Sequence, residues 1–250
     1  MIMKSWSSLK SKIEQKTFDN LETQILFSLM YTPQLSFNRL WNKNGRSNKF
    51  AYYLQKLQKE ELIVKEGKKY SLTAKGKQRA TYINGKTGKV TQKPLLAVAV
   101  ILKHRGKYLM LQRTKEPFHG FWGFPGGKIE FSNYPLEQAA ESLLEDAGLR
   151  CQLQLKGIFF SKTYHAGKQL YNHQIFIVKG TEPSGHLLPL TAKGKNKWAS
   201  RSEILSLKTI PNTSLFLDIV ESNDFRYVEA DRIFNDSEST TLNIKTNLKL

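Results

Sequence analysis

The sequence predicts an α/β protein built from two modules, and three observations lead there. Its 250 residues are enough for two ordinary domains. Of the formal net charge of +18, residues 1 to 93 carry 19 Lys and Arg against 6 Asp and Glu, whereas residues 94 to 250 carry 20 against 15. The first stretch is dominated by apolar residues at helical spacing, while the second mixes short apolar or alternating runs with amphipathic helical ones. No apolar run approaches the length of a membrane helix and no signal-peptide pattern is present, which sets the expectation of a soluble, cytoplasmic protein. The single cysteine, Cys151, excludes an intrachain disulfide or a cysteine-based metal cluster and reads as a small apolar strand residue.

In the first module, Asp19 is the expected N-cap of a helix through about Thr32, with Leu21, Ile25, Leu26 and Leu29 on one face and Pro33 as its stop. Ser36 is expected to cap a short second helix through Asn42. Asn44-Gly45 then turns the chain, and Ser47 is expected to cap a third helix to about Leu62. On that helix Phe50, Tyr53, Leu54 and Leu57 form the core side, and Asn48, Lys49, Tyr52, Gln55, Lys56 and Lys59 the polar side. Ile63 to Glu66 and Lys69 to Thr73 read as two short strands about Gly67-Lys68, and a helix begins at Ala74.

The run Leu62 to Gly76, with Lys65, Lys68 and Lys69, resembles the wing of winged-helix DNA-binding domains. Residues 1–84 are therefore expected to be a winged helix-turn-helix. Amide, phenol and ammonium groups on one helix face suit a DNA major groove, and wing lysines suit phosphates. Winged helices also serve as protein-protein modules, so the charge skew is what favours DNA as partner.

A polar, glycine-rich stretch, residues 85–93, is expected to be a linker that lets the modules reorient. Leu95 to Leu102 reads as a strand buried on both faces, and Lys107 to Gln112 as a second strand after the turn at Arg105-Gly106. Cys151 to Phe160 and Tyr171 to Lys179 are further strands. Ser202 is a candidate N-cap beyond Trp198, and Pro211 to Val220 has helical spacing. Residues 223–250, rich in Asn, Ser and Thr, are read as a polar, partly disordered tail.

Between these strands, Leu136, Ala139, Ala140, Leu143, Leu144 and Ala147 share one arc of a helix, and Glu137, Gln138, Glu141, Ser142, Glu145 and Asp146 fill the other. A helix with a packed face and a carboxylate-rich face, preceded by a Gly-Gly turn, could hold a hard divalent cation. The segments Phe121 to Phe131 and Ala139 to Leu149 resemble the Nudix hydrolases, whose box runs Gly, five residues, Glu, seven residues, Arg-Glu, an aliphatic, any residue, Glu-Glu, any residue, Gly, aliphatic. Counted from Gly127, the motif positions fall on Asn133, Glu141, Ser142, Leu143, Glu145, Asp146, Gly148 and Leu149, with Gly126 and Glu130 in the preceding turn. Gly127, Leu143, Glu145, Gly148 and Leu149 match.

The resemblance implies a Nudix α/β/α sandwich with a mixed sheet over residues 94–222 and a Mg²⁺ site at Glu145 and Asp146 beside Gly127. Here a catalytic Glu is replaced by Ser142, whose hydroxyl supplies no negative charge, and Asp146 is one methylene short, about 1.5 Å. Glu141 or Glu145 is the remaining candidate for a catalytic carboxylate, with Glu137 as a possible helper. The Glu and Arg that the resemblance implies at Asn133 and Glu141 are both absent, leaving room for an amide-carboxylate hydrogen bond. The stretch Gly185 to Trp198 offers Lys193, Lys195 and Lys197 and no carboxylate, a cradle for phosphates. His119, His165 and His173 are assigned no role.

Three functions follow: a DNA-binding transcription regulator whose Nudix domain senses a nucleoside-diphosphate-type metabolite, a Mg²⁺-dependent Nudix hydrolase of nucleoside diphosphate derivatives, and a non-catalytic interaction scaffold. The regulator is favoured, with residual hydrolysis expected to be weak or absent.

Overall fold

The computed structural model describes residues 18–43, 45–234 and 240–250. It divides into two compact units, Met1–Gln92 and Lys93–Leu250. Asn44, half of the expected Asn44-Gly45 turn, lies outside the described residues.

The N-terminal unit holds helices α1 (Leu21–Tyr31), α2 (Phe37–Trp41), α3 (Ser47–Lys59) and α4 (Ala74–Ala80), with strands β1 (Leu35–Ser36), β2 (Ile63–Glu66) and β3 (Lys69–Leu72). The strands form a small antiparallel sheet in the order β1-β3-β2. One core of Ile25, Leu29, Leu35, Phe50, Leu54 and Leu57 joins helices and sheet, with Phe37 edge-on to Phe50.

Several expected caps move by a residue. Asn20, not Asp19, caps α1 by accepting from the Thr23 N–H, and Asp19 instead accepts from the Val90 N–H at 3.0 Å. Arg46 stands at the N-cap of α3, so Ser47 is its first helical residue. Residues 84–90 fold back on this unit, with Ile83 bridging Val90 and the Asn84 amide oxygen accepting from Lys86 and Thr87.

The C-terminal unit is a mixed sheet clasped by helices. Its strands are β4 (Leu95–His104), β5 (Lys107–Arg113), β6 (Trp122–Gly123), β7 (Gly126–Lys128), β8 (Leu149–His165), β9 (Lys168–Gly185), β10 (Leu190–Thr191), β11 (Gly194–Ala199), β12 (Arg226–Phe234) and β13 (Thr240–Lys249). The main path runs β10-β11-β5-β4-β9-β8-β12-β13, parallel at β4–β9 and β8–β12 and antiparallel elsewhere.

Alternation along the strands sorts side chains onto two faces. Val98, Val100, Leu109 and Val178 meet helix α5 (Pro135–Ala147) through Ala139, Leu143 and Ala147. Ile101, Met110, Phe159 and Ile177 meet α7 (Thr213–Glu221) through Phe216, Leu217 and Val220. Between β11 and α7 lies the short α6 (Arg201–Leu205), whose N-cap is Ser200, not Ser202.

Where it is described, at 223–234 and 240–250, the segment expected to be a polar, partly disordered tail is mostly strand. β12 pairs with β8 over nine residues, and β13 pairs with β12. Val228 and Ala230 are buried in the α7-side core. Backbone pairing and this one apolar face outweigh the polar composition of the segment.

Candidate functional site

Helix α5 is aimed by its two ends. Glu137 accepts from the Tyr134 N–H at 2.9 Å, tying the residue ahead of the helix to its first turn. At the other end Gly148 adopts φ +71°, the left-handed conformation that closes a helix without a Cβ penalty. Gly126 has φ +150°, and a Cβ there would meet the Val98 carbonyl oxygen at 2.2 Å. Its glycine is what lets the turn lie flat against β4 and offer its N–H to the helix.

That N–H donates to Asp146 Oδ2 at 3.0 Å. Asp146 is fully buried, and burial raises its pKa against the opposing pull of Lys193 and the Gly126 N–H. The Lys193 ammonium stands 2.6 Å from Asp146 Oδ1 and 3.7 Å from Glu145. Lys193 comes from the turn between β10 and β11. Asn196, two residues into β11, donates to the Asp146 carbonyl at 2.5 Å and the Leu188 carbonyl at 2.8 Å, tying this turn to the end of α5.

Ser142 is buried and accepts from Gln138 Nε2 at 3.3 Å. The same Gln138 accepts through Oε1 from the Glu130 N–H and from the Asn133 amide. Asn133 also donates to Glu141 at 2.6 Å. A chain of amide hydrogen bonds, the last of them to the Glu141 carboxylate, thus holds the loop to the helix where an ion pair was implied. A Cβ at Gly127 would lie 3.5 Å from Ser142 Oγ and 3.9 Å from Lys193 Nζ, so the glycine opens directly onto this cluster.

Ser142, Glu145, Asp146 and Gly127 are therefore brought together, whereas Glu137 accepts from the Tyr134 N–H and Glu141 from the Asn133 amide. Sequence reasoning missed Gln138 as the hub of the loop and Lys193 as the partner of Asp146. It placed Lys193 only in a general phosphate cradle.

Asn48, Lys49, Tyr52, Gln55 and Lys59 are exposed along α3, and Lys65, Lys68 and Lys69 are exposed on the β2–β3 hairpin. Lys56 differs, because its ammonium is held by Glu22 at 2.5 Å and approached by Glu60 at 3.8 Å.

A family model described as NUDIX domain matches residues 93–229. The chain belongs to the Nudix family. Among solved structures, a mutator MutT protein from Bacillus halodurans is similar at 24% identity with a TM-score of 0.50, over 62% of this chain and 97% of that one. The Nudix domain of Shewanella oneidensis NrtR, solved with ADP ribose, is similar at 18% identity and TM-score 0.45, over 52% and 87%. A MutT Nudix hydrolase from Burkholderia pseudomallei is similar at 18% identity and TM-score 0.44, over 52% and 99%.

Nudix hydrolases generally use a divalent ion, typically Mg²⁺. The residues of this Nudix domain do not fit that ion. A hard cation takes several oxygens from a site of net negative charge, and here one carboxylate has become a buried hydroxyl while an ammonium lies against another. Among the described residues no three His, Cys, Asp or Glu side chains gather as a metal-holding group.

Proposed function

We propose that this chain is a DNA-binding regulator whose Nudix domain binds a nucleoside-diphosphate-type ligand without metal-dependent turnover. The observation that carries the reading is the Lys193 ammonium 2.6 Å from Asp146. There the ammonium neutralises a buried carboxylate that would otherwise repel phosphate oxygens at the open Gly127 backbone. It supplies no bound water of lowered pKa, which is the nucleophile that a metal would provide. Ser142 cannot act as a base near neutral pH.

In this reading residues 1–84 are a winged helix-turn-helix, with α3 as the groove-reading helix and the β2–β3 hairpin as the wing. The exposure of Asn48, Tyr52, Gln55 and the hairpin lysines supports it, as does the +13 charge of residues 1–93. Lys56 is left out, since its charge is spent on Glu22.

The test is a thermal-shift and hydrolysis panel on the full chain over nucleoside di- and triphosphates, sugar nucleotides and dinucleotides, with and without Mg²⁺, alongside duplex DNA binding with each compound added. Expected is stabilisation by a diphosphate compound irrespective of Mg²⁺, no product, and a changed DNA affinity. Mg²⁺-dependent product formation would restore the hydrolase. Absence of DNA affinity at low salt would sink the regulator and reassign the N-terminal unit to protein contacts.

A further inference from the structure

The face of the sheet opposite α5 carries a second polar cluster that the chemistry above does not use. Arg232 on β12 lies beside Thr163 on β8, and Ser161 on β8 lies beside His173 on β9. Alternation puts all four on the α7 side, continuing the rows of Phe159 and of Val228 and Ala230. Arg232, Ser161 and Thr163 are at least nine-tenths buried.

Their polar atoms are underused. Arg232 donates through Nη2 to Asn212 at 2.8 Å and lies 5.4 Å from the Phe118 ring, but its Nε has no partner. Ser161 Oγ, Thr163 Oγ1 and His173 Nδ1 are likewise buried without hydrogen bonds. Among the described residues no carboxylate pairs with Arg232. Burial pulls its pKa down to about 10, and burial together with Arg232 and Lys128 holds His173 near 4, so its ring is neutral at pH 7. A buried guanidinium with no carboxylate partner among the described residues, beside hydroxyls without hydrogen bonds, is costly, and an anion seated between them would supply the acceptors.

We propose that Arg232, His173, Ser161 and Thr163, with Lys128 at the edge, form a binding site for the terminal phosphate group of a small molecule. A carboxylate would match the guanidinium and leave the hydroxyls idle. Three phosphoryl oxygens use the Nε–H, both hydroxyls and an imidazole N–H, and a dianion matches the two cations. This site lies on the opposite sheet face from Lys193 and does not depend on what Lys193 binds.

The test uses the full chain with ¹⁵N-labelled histidine, titrated with inorganic phosphate and, as comparator, acetate at matched ionic strength. The His173 ring signals, assigned with His173→Gln, are expected to move with phosphate and not with acetate. Arg232→Met should weaken this response by about 10- to 100-fold, the range for losing a charge-assisted hydrogen bond, and Lys193→Met should leave it intact. Should Arg232→Met fail to fold, Thr163→Val reports on the same signals, with about a tenfold loss expected. A His173 signal indifferent to phosphate, an equal response to acetate, or an unchanged response in the folded variant overturns the proposal. Loss of the response in Lys193→Met would also overturn it, by placing the anion at the other face.

Discussion

Replacing Lys193 by Met tests the reading of the α5 site most directly, because the substitution keeps an unbranched apolar stem, one heavy atom shorter, and removes the ammonium with its charge and N–H donors. At 2.6 Å from Asp146, the gross attraction is about 6 kcal/mol at an effective dielectric constant near 20. Desolvation of the buried carboxylate cancels much of this, and breaking a buried pair typically costs about 3–5 kcal/mol. The Lys193 side chain is 36% exposed while Asp146 is fully buried, so water partly fills the gap and the expected loss falls to about 2–3 kcal/mol. For a unit of this size that is a Tm drop of roughly 4–10 °C at neutral pH.

The pH dependence gives the sharper signature. Burial already raises the Asp146 pKa, and Lys193 is the larger of the two hydrogen-bonding influences that oppose it. Without Lys193 the folded pKa rises further. The penalty belongs to the charged carboxylate, so it is full above the folded pKa and fades as pH falls through it. Thermal unfolding of both proteins across this range should show the gap closing toward acid. A variant as stable as wild type at neutral pH, or a gap that ignores pH, would refute the assignment of Lys193 as the counter-charge of Asp146.

Other substitutions probe the remaining claims. Ser142→Glu alone should give no Mg²⁺-dependent hydrolysis, because Lys193 stays in place, whereas Ser142→Glu with Lys193→Gln should bind Mg²⁺ by calorimetry; turnover in the single variant would show that the ammonium does not block the metal. Lys68→Ala and Lys69→Ala should each lower the log-log salt slope of duplex binding by about 0.9 with sequence preference unchanged, while Asn48→Ala or Gln55→Ala should cost about 1–3 kcal/mol of discrimination; the salt titration separates the two classes. Glu221 bonds Tyr108, Lys103 and Arg201, chiefly Tyr108, and its pKa is lowered. Glu221→Gln should therefore cost about 1 kcal/mol near neutral pH and progressively less as pH falls through the lowered pKa, read by denaturant unfolding. Phe159→Ala, which empties the space against Phe216, should cost about 3–5 kcal/mol without altering DNA binding.

The α5 site was legible where chemistry is local and illegible where it depends on folding. Gly127, Glu145 and Gly148 announce themselves because turn, helix length and cap are written at fixed spacing, and the loss at Ser142 is visible for the same reason. Glu137 looked like a spare carboxylate, yet three residues after Tyr134 it is placed to cap the helix, a local rule that the sequence did contain. Lys193 is different. Its partner lies 47 positions earlier, and only the turn between β10 and β11 carries it to α5, so composition alone showed a lysine-rich stretch and nothing of its target. The last two strands fall between these cases. Leu242, Ile244 and Leu248 sit at even spacing, a period-two signal hidden by the surrounding Thr, Asn and Lys, and the bulge at Glu229/Ala230 interrupts their register. The same misreading concealed Arg232, since a cation in an assumed tail is a solvated charge, while a cation on the seventh of nine strand residues beside Thr163 is buried and short of partners. A buried charge thus emerges from the sequence only after the strand that buries it has been recognised.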